Sequence, residues 1–337
     1  MNRRMRSTLA ALVAAALAVP AAGRAEVQEV RISRGHGILY LPLIVMQEQR
    51  LVERHAKAAG LGDIKVSWPM FDGGNIINDA MLSGALDIAG IGAPGFITLW
   101  AKAKGNPKLE VGGLAGLSAT SLWLNSTNPA VKTLRDFGPR DRIAMPGIKT
   151  SLSAVVLQMM VAREFGAAQY DKLDPLTVGL PHPDALTALI SGNAEVNAHL
   201  GSPPFSYLEL DSPRVHRVLS SVDALGNITL DVVYCTRRFR DENPRLVRAF
   251  LAALEEADAF IARDRSGAAD VFVRSSKVKV SRDEVMKMLA DPDTRFSITP
   301  DGVLKYAEFM SSVKTIKVKP ASWKELFFPE IHHLSGS

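Results

Sequence analysis

The amino-acid sequence predicts two similar α/β lobes that face each other across a ligand cleft. Three observations predict this fold class: strand-like and helix-like segments alternate, one segment is echoed, and each echoed strand ends in a Gly-x-Pro turn. The echo pairs Leu82-Ser83-Gly84 with Ile190-Ser191-Gly192, Asp87-Ile88 with Glu195-Val196, and Gly92-Ala93-Pro94-Gly95-Phe96 with Gly201-Ser202-Pro203-Pro204-Phe205. The copies lie roughly 108 residues apart, a period much longer than that of repeat arrays, so they indicate two lobes. Open α/β sheets bind ligands where their strands end, which places these turns at the cleft.

Residues 1–25 are predicted to form a cleavable export signal. They combine early arginines, the apolar segment Leu9–Val19 and small residues before a cleavage site near Ala25. The apolar segment is too short to span a membrane, which takes roughly 20 residues. For a bacterial chain, such a signal predicts a periplasmic mature protein.

Charge and cysteine content exclude several classes of partner and cofactor. Removal of the signal takes away four arginines and no acid, so the formal net charge falls from +5 to +1. A nearly neutral protein has no electrostatic footprint for nucleic acid. The single cysteine, Cys235, excludes an internal disulfide and a cysteine-based zinc cluster. We therefore expect a monomer without metal or cofactor.

The first lobe is predicted over residues 26–118 and begins with an alternating apolar and polar strand. Its predicted strands are Val27–Ser33, Ile64–Trp68, the echoed strand after Gly84, and Leu109–Leu114. Its predicted helices are one long helix over Tyr40–Ala59, one that ends at Gly84, and Phe96–Lys104.

The second lobe is predicted over residues 119–228 and repeats this order. Its predicted strands are Arg142–Met145, Leu176–Leu180, the second echoed strand, and Val215–Ser220; its helices are Leu152–Phe165 and one that ends at Gly192. Two extended, apolar-rich segments, Leu117–Asn125 and Leu225–Cys235, are candidates for the crossings between the lobes.

Residues 229–337 are predicted to return to the first lobe as mostly helical structure. Asn243 and Pro244 suit a helix start. One apolar stripe follows on that helix: Leu246, Val247, Phe250, Leu251, Leu254 and Ile261. Asp291-Pro292 and Thr299-Pro300 break the later helices.

In their order and spacing, these segments resemble the periplasmic substrate-binding proteins of nitrate/taurine/sulfonate-type ABC importers. The matching pieces are Leu41-Pro42, the first echo, Asn128 to Phe137, Pro181 to Gly192, and Glu242 to Leu251, which together span about residues 29–262. The resemblance implies a type II periplasmic-binding-protein fold, in which two hinge strands join the lobes. It also implies closure on a ligand, delivery to a membrane permease, and no chemistry. The first loop, Arg34 to Tyr40, departs from the family pattern, so the ligand does not follow from the resemblance.

The strongest candidate for ligand binding is the loop from Gly147 to Ser153, between a predicted strand and a helix start. Free backbone N–H groups and the helix dipole attract an anion there. Lys149 would add charge, and the hydroxyls of Thr150 and Ser151 would donate hydrogen bonds. The alternative is an ordinary capped helix beside a solvated lysine.

Other candidates occupy equivalent strand ends, the predicted crossings and the first loop. They are Gly73, Gly74 and Asn75; Gly92, Ala93 and Pro94; Gly201 and Ser202; Thr120, Ser121 and Asp231; and His36 and Tyr40. Each has a structural alternative: a capped turn, a tight turn, strand packing or a solvated ring. Phe96 and Phe205 are predicted to be core residues. His182, His199 and His216 fall on different predicted elements, and we expect no metal site from them.

The function that these observations favour is capture of a small anionic solute, such as a sulfonate, a carboxylate or an inorganic oxyanion, including aromatic acids. Delivery would be to the permease of an ABC importer. One alternative is an enzyme on the same fold, similar to sulfinate desulfinases with a nucleophilic cysteine or to thiamine-pyrimidine synthases with a cysteine-rich iron motif. Cys235 alone cannot form that motif. A ligand sensor that presents its closed form to a membrane receptor is the third possibility.

Overall fold

A computed structural model describes residues 25–71, 73–192, 195–276 and 278–337. The predicted export signal therefore lies outside the described residues, apart from Ala25. Within these ranges, no helix combines the length and the apolar character needed to cross a membrane.

Two mixed β-sheets organise the described chain. The strands are β1 Glu29–Ser33, β2 Lys65–Ser67, β3 Ile88–Gly92, β4 Val111–Ala119, β5 Trp123–Ser126, β6 Ile143–Met145, β7 Thr177–Gly179, β8 Ala198–Gly201, β9 His216–Ser220, β10 Asp231–Thr236 and β11 Arg295–Phe296. A six-stranded sheet has the order β11-β4-β10-β3-β1-β2, and a five-stranded sheet has the order β7-β6-β8-β5-β9. We call the part built on the first sheet lobe 1 and the part built on the second lobe 2.

Parallel and antiparallel pairs are mixed in the same way in both sheets. In lobe 1, β1 is parallel to β2 and β3, whereas β10 is antiparallel to both β3 and β4. In lobe 2, β6 is parallel to β7 and β8, whereas β5 is antiparallel to β8 and β9. The chain passes from lobe 1 to lobe 2 between Ala119 and Trp123 and returns between Ser220 and Asp231.

Helices pack around these sheets, and three of them begin at the residue after a strand ends. They are α1 Leu41–Glu48, α2 Leu51–Ala58, α3 Gly74–Leu82, α4 Ala93–Ala103, α5 Leu152–Phe165, α6 His182–Ser191, α7 Phe205–Glu209, α8 Ser221–Leu225, α9 Arg237–Glu242, α10 Pro244–Arg263, α11 Arg265–Ser275, α12 Arg282–Ala290, α13 Val303–Ser312 and α14 Trp323–Leu326.

The long first helix expected over Tyr40–Ala59 is wrong, because the chain divides there into α1 and α2. Arg50 has a φ of 51°, in the left-handed region, and it separates the two helices. The N–H of Gln49 bonds to the carbonyl of Val45 and closes α1. The apolar Leu51 then starts the second helix, in which it is fully buried. Both halves have helical sequences, so the break was not visible from periodicity.

The fourth strand also differs from its expected range, since it runs over Val111–Ala119 rather than Leu109–Leu114. Its glycines weaken the strand pattern in the sequence, but tertiary contacts require them. A Cβ on Gly113 would lie within 2.2 Å of the Phe327 ring, and one on Gly116 within 2.7 Å of the Thr299 carbonyl oxygen. The pairing with β10 along its length therefore extends the strand.

The predicted apolar stripe of α10 is confirmed, since every member is buried except Leu251, which is partly buried. The core prediction for Phe96 and Phe205 is likewise confirmed, because both rings are fully buried. Burial of this stripe gives α10 its place against lobe 1, where it packs on α1 and α2.

Candidate functional site

A cavity of about 90 Å³ lies between the lobes, and residues from both of them line it. Lobe 1 contributes Gly35, His36, Leu39, Tyr40, Phe71, Gly73, Gly74, Ile77, Ile91, Gly92, Gly95 and Asp231. The other lining residues, from lobe 2 and from the chain entering it, are Leu122, Pro146, Thr150, Ser151, Leu152, Ser153, His182, Pro183 and Ser202. A cavity needs about 10–15 Å³ to hold one water molecule, so this cavity holds about six to nine water-sized groups. It therefore suits a small solute.

Many of the residues that the sequence singled out meet at this cavity. Those that line it are His36, Tyr40, Gly73, Gly74, Gly92, Thr150, Ser151, Ser202 and Asp231. They come together because most of them lie just beyond a strand, at the sheet edges that face each other.

Lys149 and Asn75 do not line the cavity, and both are exposed. Lys149 has a φ of 69°, in the left-handed region. Its charge instead acts on Asp174, where it partly offsets the rise in carboxyl pKa that burial causes. The anion-binding role expected for Lys149 is therefore not supported by its position.

Thr120 and Ser121 also lie away from the cavity lining, because neighbouring side chains hold them in the crossing. The hydroxyl of Thr120 is 2.9 Å from that of Thr294, and the hydroxyl of Ser121 is 2.5 Å from that of Ser220. Both residues are buried. Their positions fit the structural alternative, in which they pack against neighbouring segments and not against a ligand.

The expected ligand-binding residues Ala93, Pro94 and Gly201 lie at or just after the ends of the strands and do not line the cavity. The N–H of Ala93 bonds to the carbonyl of Leu230 at 2.8 Å, and Pro94 lies in the first turn of α4. Gly201 leaves room for the His199 ring, since a Cβ there would lie 2.7 Å from the ring carbon Cε1. These residues build the site without forming its wall.

Helix starts from both lobes reach the cavity. Helix α3 begins after Gly73, which has no side-chain cap, and α6 begins at His182. Helix α5 is capped by Ser151, whose hydroxyl accepts from the N–H of Ala154 and donates to the carbonyl of Gly147. The first N–H groups of a helix have no intrahelical partners and carry partial positive charge. Among the described residues, the cavity lining therefore offers hydrogen-bond donors but no lysine or arginine.

Asp231 is the buried acid of the cavity wall. It is 1% exposed, and the Tyr40 hydroxyl donates a hydrogen bond to its carboxylate. Among the described residues, nothing donates to its second oxygen, Oδ2. Burial raises the carboxyl pKa from 3.8 to about 7, although the hydrogen bond from Tyr40 opposes this rise. An incompletely satisfied buried carboxylate is thus present where a ligand would bind.

A chain of hydrogen bonds runs from the cavity into lobe 2, and the sequence did not predict it. His182 Nδ1 is 2.8 Å from His199 Nε2, and His199 Nδ1 contacts Glu209 Oε1. Glu209 is fully buried, and its other oxygen accepts from the Asn125 side chain at 2.8 Å. The Phe205 ring stacks on His182 with the ring centroids 5.3 Å apart. His182, unlike the other members, lines the cavity.

From the sequence, His182, His199 and His216 were expected to be unrelated, and this expectation is wrong for His182 and His199. They lie on α6 and β8, and their rings meet only because those elements pack together. Burial first, and then the charges of His199 and His36, lower the pKa of His182 well below its usual value. His182 could have been found by the argument used for Thr150, because it too follows a lobe 2 strand.

Close contacts between the lobes surround the cavity. The N–H of Ile38 bonds to the carbonyl of Pro203 at 3.1 Å. A Cβ on Gly37 would lie 2.8 Å from that carbonyl oxygen, and one on Gly92 would lie 2.8 Å from Leu152 Cβ. Glycine thus permits the two lobes to approach this closely.

Cys235 lies on β10, outside the cavity lining, and is fully buried. Burial raises its thiol pKa well above the usual value, which disfavours the nucleophilic thiolate. Within the described residues, no group of three or more histidine, cysteine, aspartate or glutamate side chains could hold a metal ion.

Comparison with known structures finds periplasmic binding proteins. The alkanesulfonate-binding protein SsuA from Xanthomonas axonopodis pv. citri, solved bound to MOPS, is 21% identical with a TM-score of 0.68 over 87% of this chain and 96% of that one. The aliphatic sulphonate binding protein SsuA from Escherichia coli is 19% identical with a TM-score of 0.66, covering 90% and 92%. The nitrate-binding protein NrtA from Synechocystis PCC 6803 is 16% identical with a TM-score of 0.63, covering 88% and 83%. At these identities, the likenesses establish the fold alone, and they confirm the two-lobed α/β prediction.

Comparison with curated protein sequences finds no match. The family model described as NMT1/THI5 like matches residues 64–268, which is more than half of the sequence and includes parts of both lobes. The chain therefore belongs to the NMT1/THI5-like family and has the fold of the periplasmic sulfonate- and nitrate-binding proteins.

Proposed function

We propose that this protein captures a small solute between its lobes and delivers it to the membrane permease of an ABC importer. The observation that carries the proposal is the convergence of helix starts from both lobes on one small cavity. A ligand that contacts both lobes stabilises the closed form relative to the open form. Rigid-body closure about the two crossings then makes a surface that a permease can recognise.

An acidic group on the ligand fits the helix starts best. None of the described residues that line the cavity is a lysine or an arginine. An anion would therefore be held by backbone N–H groups at the starts of α3 and α5 and by the Thr150 hydroxyl. We propose a sulfonate, a carboxylate or an inorganic oxyanion, and the sulfonate- and nitrate-binding proteins with this fold support that range.

The remaining parts of the proposal concern where the protein acts and in what form. We propose export through residues 1–25 and action in the periplasm as a monomer, with lobe 1 formed by residues 26–118 and 229–337. The burial and raised pKa of Cys235 speak against an enzyme that uses this thiol. A sensor would share the capture and closure steps and would differ only in its membrane partner.

Thermal unfolding of the mature chain, residues 26–337, tests the proposal against a panel of sulfonates, carboxylates, oxyanions, amino acids and pyrimidines. The protein is first unfolded and refolded to remove bound ligand. A ligand at about 100 times its Kd should stabilise the fold by about 2.7 kcal/mol, a rise of several degrees in Tm. Stabilisation only by compounds that lack an acidic group would overturn the proposed ligand class.

A pair of neighbouring variants locates the binding group. Thr150→Asp places a negative charge in the cavity wall and should raise the Kd of an anionic ligand at least about tenfold. Lys149→Ala removes an exposed charge and should change the Kd less than about threefold. The opposite order of effects would return the binding role to Lys149.

A further inference from the structure

We propose that the ligand presents a nitrogen-bound hydrogen to Asp231, so that the cavity selects acids that carry an amino group over the same acids without one. This inference rests on the proposed capture of an acidic solute. It adds a second recognition point, of opposite polarity to the helix starts, and it makes Asp231 the residue that determines specificity.

The environment of Asp231 carries the inference. Its backbone pairs with Gly92 and Ser118 between two strands, which fixes the residue at the edge of lobe 1. The side chain lines the cavity although the residue is 1% exposed. Tyr40 provides one hydrogen bond, and within the described chain the oxygen Oδ2 receives none. Buried polar atoms in proteins are nearly always hydrogen-bonded, so a donor is missing at this position.

Hydroxyls and helix N–H groups line the cavity, but none of the described groups donates a hydrogen bond to Oδ2. The described wall also contains no lysine or arginine, and burial lowers the pKa of the His182 side chain, which favours its neutral form. The neutralising or donating group must therefore arrive with the ligand. An acid that offers only acceptors to Asp231 would leave this oxygen unsatisfied and would place two acids in a small cavity.

An amino group satisfies this position better than a hydroxyl would. A hydrogen bond between a charged donor and a carboxylate is stronger than one between neutral groups. The volume of about 90 Å³ limits the ligand to a short molecule. Such a molecule would have its acidic group at the helix starts and its nitrogen at Asp231.

Matched pairs of acids test the inference. Calorimetric titration of the refolded protein compares taurine with ethanesulfonate, and β-alanine with propionate. The amino member should bind at least about tenfold more tightly, the lower end of what a hydrogen bond to a charged group contributes. In Asp231→Asn, the ratio of the two Kd values should fall below about threefold.

Asp258→Asn is the matched control. Asp258 is another poorly exposed carboxyl, with a pKa raised to about 8 and with its Oδ1 unpartnered among the described residues, but it lies on α10 outside the cavity lining. This variant should still bind the acid with an amino group more tightly than the acid without one. Tyr40→Phe provides a second test that keeps the carboxylate, and there the preference should persist or increase.

The outcomes separate the two proposals. Equal affinity within each pair, or a ratio that Asp231→Asn leaves unchanged, overturns the role of Asp231 and leaves solute capture standing. Tighter binding of the acids without an amino group does the same. Failure of all four acids to bind overturns this inference, whereas the wider acidic ligand class stands or falls with the thermal-unfolding panel.

Discussion

Replacing Asp231 with asparagine is expected to stabilise the ligand-free protein, most strongly at alkaline pH. The carboxyl is buried and makes only part of its hydrogen bonds, so its ionised form is unfavourable in the folded state. Asparagine has nearly the same shape and no charge. The variant should therefore keep the fold while it loses the cost of burying the charge.

The raised pKa sets the magnitude of this effect. Burial raises the Asp231 pKa from 3.8 to about 7, and each pH unit between these values corresponds to about 1.4 kcal/mol. The protonated carboxyl contributes its full stability to the folded protein at pH values below the pKa that Asp231 has in the unfolded chain. This contribution is lost as the pH rises through about 7, the pKa in the folded protein. The free energy of unfolding of the Asp231→Asn variant should therefore exceed that of the unsubstituted protein by about 4 kcal/mol near pH 8, and by only about 1–2 kcal/mol near pH 5.

Urea unfolding followed by circular dichroism at about pH 8 and about pH 5 measures this difference. The protein is refolded first, so that no bound ligand contributes. Asp63→Asn serves as the control, because that side chain is 85% exposed and pairs with an exposed lysine. Its effect should stay within about 0.5 kcal/mol. A loss of stability in Asp231→Asn at pH 8, or a gain that does not change with pH, would refute the reasoning.

Three further results are expected. Gly92→Ala should raise the Kd of a bound acid at least about tenfold while the protein stays folded. The added Cβ would lie 2.8 Å from Leu152 Cβ on the other lobe and would oppose closure. Unchanged affinity in calorimetry would contradict this expectation. Native Cys235 should resist a thiol reagent that labels the urea-unfolded chain, since burial raises its pKa. Rapid labelling would reopen the question of a reactive thiol. His182 should remain neutral at about pH 6 in nitrogen NMR, because burial and the charge of His199 lower its pKa; titration near 6.5 would count against the buried pair.

Local regularities explain why much of the fold could be predicted from the sequence. Apolar periodicity located α10, and glycine and proline marked the ends of the echoed strands. The rule that ligands meet the ends of strands then identified residues as distant in sequence as Gly73, Gly92 and Thr150. This rule depends only on topology, so it held without knowledge of any contact.

The chemical character of the cavity depended on contacts that the sequence does not encode locally. Lys149 had the expected charge, but a left-handed backbone conformation and an exposed position take it away from the lining. His182 meets His199 because two elements of lobe 2 pack against each other. The expected site was consequently richer in positive charge than the one that forms.

By itself, the sequence determined the two-lobed α/β architecture and the strand ends that face the cleft, because these follow from propensities of neighbouring residues. The order and spacing of its segments also gave the family resemblance. Only the tertiary structure decided which side chains reach the cavity and what their protonation is. Asp231 shows the reason: burial raises its pKa to about 7, and the hydrogen bond from Tyr40 only partly opposes that rise. Burial of this kind is a property of the assembled fold, since it arises from residues that are far apart along the chain.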